Sequence, residues 1–181
     1  MPKLHQGQQV TPTSFKTIHN QPFDLPANDA RLLHVQFRRF AGCPVCNYHL
    51  HRMAKHHAQL TEMGIKQLVF FHSSQQEMLK YQQQLPFACV ADPDKTIYRQ
   101  WGVEKSRLAI LHPSIIISGT LGFLATGKLY KKAENGILGL PADFLLNDKG
   151  KILEVKYGKH ADDQWEIDEL LDLIARHSVS E

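Results

Sequence analysis

Arg38-Arg39-Phe40-Ala41-Gly42-Cys43-Pro44-Val45-Cys46 stands between an apolar alternating run and an amphipathic helical run, so a C-x-x-C pair falls where a strand gives way to a helix. That placement has chemical consequences. A thiol in the first turn of a helix meets unpaired backbone N–H groups and the positive end of the helix dipole, and both favour thiolate over thiol. The thiolate is the form that attacks a disulfide or a peroxide. Pro44 suits the first helical position, because its φ is already set and no hydrogen bond is lost there. Arg38 and Arg39 add positive charge beside the pair.

Two other readings of the pair have different signatures. A zinc site would use Cys43, Cys46 and His49 or His51, but the second ligand pair at finger spacing is missing, since the third cysteine is the isolated Cys89. Inert packing of two buried thiols would need neither the proline nor the arginines. Of the other histidines, His57 falls on the apolar stripe of the helix, and His49 is the one that shares a face with Cys46. Cys89, inside a short apolar strand, reads as a small buried hydrophobe, and Trp101 as core.

Outward from the motif, Leu33, Val35 and Phe37 alternate with Leu32, His34 and Gln36, which predicts a strand from Arg31 to Arg38. After the cysteines, Leu50, Met53, His57 and Leu60 share one helical face as far as Met63, and Gly64 supplies a left-handed stop. Ile65 to His72 carries the continuous apolar run of a strand covered on both faces. Ser74 with Glu77 predicts a capping box and a helix through Gln84. Phe87 to Ala91 is a further short strand, Asp92-Pro93-Asp94 a turn, and Lys95 to Trp101 a helix closed by Gly102.

Pro141 to Leu146 and Lys151 to Tyr157 then form a hairpin turning at Gly150. Asp163 with Glu166 predicts the cap of a last helix carrying Ile167, Leu170, Leu171 and Ile174. Before the motif, Pro22, Pro26 and Asn28 break the chain into a hairpin-like arm. The expected order is β-α-β-α-β-α, an insertion, then β-β-α, which describes an α/β fold with a mixed central sheet and helices on both faces.

The whole chain sets limits on function. Its 181 residues, 43% hydrophobic and 22% charged, make one globular domain spanning 1–181. A net charge of +3 implies neither a nucleic-acid nor an anionic-membrane partner. Three cysteines do not make a disulfide scaffold, and no apolar leader opens the sequence, so a cytoplasmic location is expected. From Leu108 to Gly127 no residue is charged, a length that would suffice for a membrane span. Its glycines, Pro113 and hydroxyl residues instead favour an insertion packed on the sheet or on a second subunit.

A strand running into C-P-V-C on a helix, followed by a proline ahead of a β-hairpin and a terminal helix, resembles the thioredoxin fold over nearly the whole chain. ADPDKTIYRQWGV and GLPADFLLNDKGKILEVKYGKH look like segments of the alkyl hydroperoxide reductase/thiol-specific antioxidant family, and RRFAGCPVC looks like its peroxiredoxin-like branch. The resemblance implies a thioredoxin-like domain with the insertion before a strand led by a cis-proline, Pro141, that faces the thiols. It also implies an antioxidant-type, thiol-dependent oxidoreductase with Cys43 and Cys46 reacting and Arg39, Pro44 and Pro141 supporting them. No cofactor or metal is expected. The partners would be a reducing thiol protein or small thiol and a disulfide or peroxide substrate, with homodimerisation left open.

This chain departs from the peroxiredoxin pattern in two places. The P-x-x-x-T-x-x-C motif would put its proline at Arg39, its threonine at Cys43 and its peroxidatic cysteine at Cys46, so one of three matches. The family's peroxide-holding arginine would fall near Pro141, and no arginine occurs from Leu108 to Ala175. Arg38, Arg39, Arg99 or Arg107 would have to substitute. The dithiol itself is intact, which favours thiol/disulfide exchange with Cys43 as nucleophile and Cys46 resolving. Dithiol-dependent peroxide reduction, with Cys46 or Cys43 peroxidatic, is the alternative. A redox sensor or binding module without turnover is a third reading.

Overall fold

A computed structural model describes residues 2–103, 117, 118, 120, 121, 124 and 133–177. Its centre is a five-stranded sheet in the order β5-β4-β3-β6-β7: β3 (Leu32–Phe37), β4 (Ile65–Phe71), β5 (Ala88–Ala91), β6 (Ala142–Asn147) and β7 (Ile152–Tyr157). The three strands β3, β4 and β5 run parallel, while β6 is antiparallel to β3 and β7 to β6, with Val35 opposite both Leu68 and Phe144. The N-terminal arm is a hairpin of β1 (Thr13–Lys16) and β2 (Pro22–Leu25), as its turn residues predict.

Two apolar clusters, one on each face, cover the sheet. One gathers Cys43, Cys46, Leu50, Met53 and Leu60 with Met78, Trp165, Leu170 and Ile174, which brings to one face the helices α1 (Pro44–Lys55), α2 (His57–Glu62), α3 (Gln75–Tyr81) and α5 (Ile167–Arg176). The other holds Val35, Phe37, Phe70 and Phe144 against Leu25, Tyr98 and Trp101, so the arm and α4 (Thr96–Gln100) close the opposite face. Trp101 is core, as expected. The Asp92 carboxylate caps α4 by accepting from the N–H groups of Thr96, Ile97 and Tyr98.

Local physics moves several expected boundaries. The helix read from Cys46 to Met63 is two helices: the His56 N–H bonds back to Met53, a tightened turn that ends α1, and α2 begins at His57. Gly64 does provide the left-handed stop, at φ +76°. Helix α3 ends at Tyr81, short of Gln84, because Gln82 turns its side chain inward to Ala41 and Asn47. Ser74 caps α3 as predicted, but the reciprocal half of the capping box comes from Glu134 rather than Glu77. Asp163 is not the cap of α5; that position is Glu166, while Asp163 accepts from the Lys159 N–H and pairs with Lys156.

The uncharged stretch from Leu108 to Gly127 is described at Ile117, Ser118, Thr120, Leu121 and Leu124, which are helical. Its reading as an insertion packed on the sheet or on a second subunit otherwise lies outside the described residues, as do Arg107 and Lys128. Among the described residues no helix is long and apolar enough to cross a membrane.

Candidate active site

The last residue of β3 leads straight into the cysteine motif, and three side chains brace the intervening loop. Ser73 accepts the Ala41 N–H at 3.0 Å, while Asn47 and Gln82 both donate to the Ala41 carbonyl, at 3.0 and 2.7 Å. This fixes Cys43 as the N-cap of α1, in extended backbone, with Pro44 at the first helical position. The Cys43 sulfur takes the place that a serine or aspartate oxygen usually holds, accepting the Cys46 N–H at 3.4 Å. One turn on, the Cys46 thiol donates to Cys43 Sγ across 2.8 Å. Cys43, Cys46 and Cys89 are all free thiols.

The two members of the pair differ electrostatically. Burial pushes the Cys43 thiol up, but the hydrogen bond from Cys46, the Arg39 charge and the N–H groups of Cys46 and Val45 outweigh it and bring the thiol down to about 7. Burial also raises Cys46, and the hydrogen bond it donates to Cys43 and the negative charge there raise it further, well above its ordinary value. At neutral pH one sulfur is therefore substantially thiolate and the other holds the proton. Burial alone pushes Cys89 up to about 12, which makes it inert.

Cys43 is fully buried, and Cys46 is only 1% exposed. Ala133 and Ile137, from the segment preceding β6, pack on the apolar cluster that contains both thiols.

Among the described residues, Arg39 is the arginine that reaches the thiols. Its Nη1 lies 3.6 Å from Cys43 Sγ, and its Nη2 donates to the Ile137 carbonyl. Arg99 is turned away to Asp94 and Thr96. Arg38 is wholly buried and paired with Asp143: Nη2 to Oδ1 at 2.7 Å and Nη1 to Oδ2 at 3.1 Å. Gln36 Oε1 accepts from the same Nη2 at 2.7 Å, and His49 Nε2 lies 3.2 Å from it. His34 Nε2 bonds Asp143 Oδ1 at 2.8 Å, and the Trp165 N–H donates to Oδ2. His49 thus faces Arg38, with its Nδ1 towards Glu166 3.9 Å away.

Pro141 differs from its expected state. The Leu140–Pro141 peptide is trans, and the cis peptide among the described residues is Leu25–Pro26. The Pro141 carbonyl accepts the Gly158 N–H at 2.9 Å, and its ring packs so closely there that a Cβ on residue 158 would lie 2.7 Å from Pro141 Cγ.

Asp143, His34 and Gln36 carried no role in the sequence reading. The available signal was one charge, Asp143, inside the apolar run Ala142 to Leu146. A carboxylate in such a strand is either exposed or paired in the interior, and Arg38 is the cation opposite.

A paired thiol at the carboxyl end of a parallel strand, N-capping the next helix under an arginine, defines a thiol-dependent oxidoreductase of thioredoxin-like fold. The AhpC/TSA family profile matches residues 6–155, and the chain belongs to that family. A search of curated protein sequences returns no match. Among solved structures, a cysteine-to-serine mutant of peroxiredoxin 6 from Arenicola marina superposes with a TM-score of 0.72 at 9% identity, covering 98% of this chain and 74% of that one. A cysteine-to-serine mutant of PrxQ from Xylella fastidiosa superposes at 0.69 and 10% identity, covering 100% of both chains. A Chlorobium tepidum protein assigned as the thiol:disulfide interchange protein DsbE superposes at 0.61 and 15% identity, covering 95% and 99%.

Proposed function

We propose that this protein reduces small hydroperoxides with the Cys43–Cys46 dithiol, Cys43 attacking and Cys46 resolving. The observation that carries the reading is the asymmetry of the pair: Cys43 lies at the helix cap, held as thiolate by Cys46 and Arg39, and Cys46 retains its proton. The Cys43 thiolate attacks the terminal peroxide oxygen, the O–O bond breaks, and the departing oxygen takes a proton to leave as water or an alcohol. Cys43 becomes a sulfenic acid. Cys46 then loses its proton and attacks the Cys43 sulfur, displacing hydroxide as water and closing the disulfide. An external dithiol, protein or small, restores both thiols by exchange.

Arg39 stands in for the arginine that the family places elsewhere. A guanidinium with one nitrogen at the nucleophilic sulfur can hold an oxygen with the other, a place that the Ile137 carbonyl takes. Burial of both sulfurs favours a small substrate over a protein disulfide.

Thiol/disulfide exchange is the second reading, favoured by the C-x-x-C itself at a helix N-cap. There Cys43 attacks one sulfur of a substrate disulfide, the partner sulfur leaves as thiolate, and Cys46 attacks the mixed disulfide to release the substrate thiol. Purified protein assayed against hydrogen peroxide and against a protein disulfide, each with dithiol reductant, separates the two. Turnover of peroxide alone supports the first reading, and turnover of the disulfide alone replaces it with the second. Reversible oxidation without turnover of either would make the protein a sensor.

A further inference from the structure

The segment from Ala133 to Leu140 packs Ala133 and Ile137 on the cluster that contains the dithiol, as a strap whose attachments are made by side chains. The Glu134 carboxylate accepts the Ser74 N–H at 2.7 Å and the Ser74 hydroxyl at 3.0 Å. Asn135 Nδ2 donates to the carbonyls of His72 at 3.1 Å and Pro93 at 2.7 Å, and Lys95 donates to the Asn135 carbonyl at 2.8 Å. The Ile137 carbonyl meets Arg39. Between these points the chain reverses through two left-handed residues, Asn135 at φ +56° and Gly136 at φ +85°. A Cβ at Gly136 would meet nothing within 4 Å, whereas one at Gly139 would lie 2.9 Å from His72 Nε2. The strap is open at its turn and tightly seated near β6.

We propose that Glu134 is a specificity-determining residue: by clamping the strap to Ser74 it admits small hydroperoxides to Cys43 and holds back bulky ones. The proposal rests on the reading of Cys43 as the reacting thiol. The Ile137 attachment involves Arg39, which already serves the sulfur, so it cannot change without changing the chemistry. Glu134 touches neither thiol nor Arg39. Its two hydrogen bonds are charge-assisted, the strong kind. They join the strap to the N-cap of α3, an element outside the dithiol motif. A reagent wider than a few atoms needs the strap lifted as a whole, so its rate scales with the fraction of molecules open. A reagent of only a few atoms needs no more than a local gap, and its rate does not.

The test uses the full-length reduced protein in two pairs of probes differing in size. For alkylation these are iodoacetamide, whose iodide the Cys43 thiolate displaces, and a polyethylene-glycol maleimide, which the thiolate adds to. For turnover they are hydrogen peroxide and cumene hydroperoxide. Glu134→Ala should raise the maleimide and cumene hydroperoxide rates about tenfold, the scale of a lost charged hydrogen bond, and change the two small-probe rates less than about twofold. Glu134→Gln should fall between, because its amide oxygen still accepts the Ser74 N–H. Asn135→Ala leaves the α3 cap intact and should move the same ratio in the same direction. Equal changes for large and small probes, or no change for either, would overturn the proposal. If labelling behaves as expected and neither peroxide turns over, the strap assignment stands and the peroxidase reading falls.

Discussion

Arg39 holds the Cys43 sulfur and the Ile137 carbonyl with the two terminal nitrogens of one guanidinium, Nη1 standing 3.6 Å from Sγ. The charge is one of the causes that bring Cys43 down to about 7. Arg39→Met should therefore raise the Cys43 midpoint by about one pH unit, cutting the thiolate fraction about tenfold at pH values below the wild-type midpoint. Arg39→Lys keeps a charge but loses the fork and should shift it less. Thiolate absorbance followed against pH reads both; an unmoved midpoint in Arg39→Met would remove Arg39 from the site.

The assignment of roles to the two cysteines has its own test. With Cys46→Ser, Cys43 should stay the more acidic thiol and trap mixed disulfides, while the Cys46 left in Cys43→Ser should titrate above its ordinary range. Mild oxidation of the wild type should give a Cys43–Cys46 bridge and leave Cys89 reduced, since Cys89 is pushed up to about 12. A Cys46 in Cys43→Ser that peroxide oxidises at an undiminished rate would reverse the assignment.

Much of this architecture is written locally in the chain. The alternation in β3, the proline after Cys43, the Ser74 cap and Gly64 are short-range signals, and each acts where the sequence puts it. The polar residues His34 and Gln36 are buried with the rest of β3, because α1 and α5 cover their face of the sheet, as helices on both faces require. Asp143, which bonds His34, and His49, which meets Arg38, are distant in sequence and arrive there only through strand pairing and helix docking. The trans Leu140–Pro141 peptide and the burial of Cys43 likewise have no local signal in the sequence.

The Arg38–Asp143 pair, fully buried, gives a stability prediction. Asp143→Asn removes the negative partner and leaves the guanidinium uncompensated in the interior, which should cost about 3–5 kcal/mol of unfolding free energy. The double substitution Arg38→Met with Asp143→Leu removes both charges and should recover most of that loss. Urea unfolding with an unchanged m-value reads the difference. If the double variant is as unstable as the single one, hydrogen bonds to His34, Gln36 and Trp165 dominate, and the charge pair does not.

Three buried histidines set how stability responds to acid. Burial lowers His34, which Asp143 only partly offsets; burial and Arg38 lower His49; and burial with the Lys95 charge lowers His72 to about 4. Each is neutral in the folded protein at pH 7, and each regains an ordinary value near 6.5 when unfolded. Between those values the unfolded chain binds more protons, so stability is fully present above about pH 6.5 and falls as the pH drops towards the folded values. Asp143 is also lowered, Arg38 and His34 outweighing its burial, but its contribution disappears only below the ordinary carboxylate range and leaves this window alone. One histidine can contribute at most about 1.4 kcal/mol per pH unit, so the loss below pH 6.5 steepens with each of the three that stays neutral in the folded protein. Urea midpoints measured across that range should fall with acid, and His72→Phe should flatten the slope by up to one proton. A midpoint constant from pH 6.5 to 5 would mean that these histidines are protonated in the folded protein.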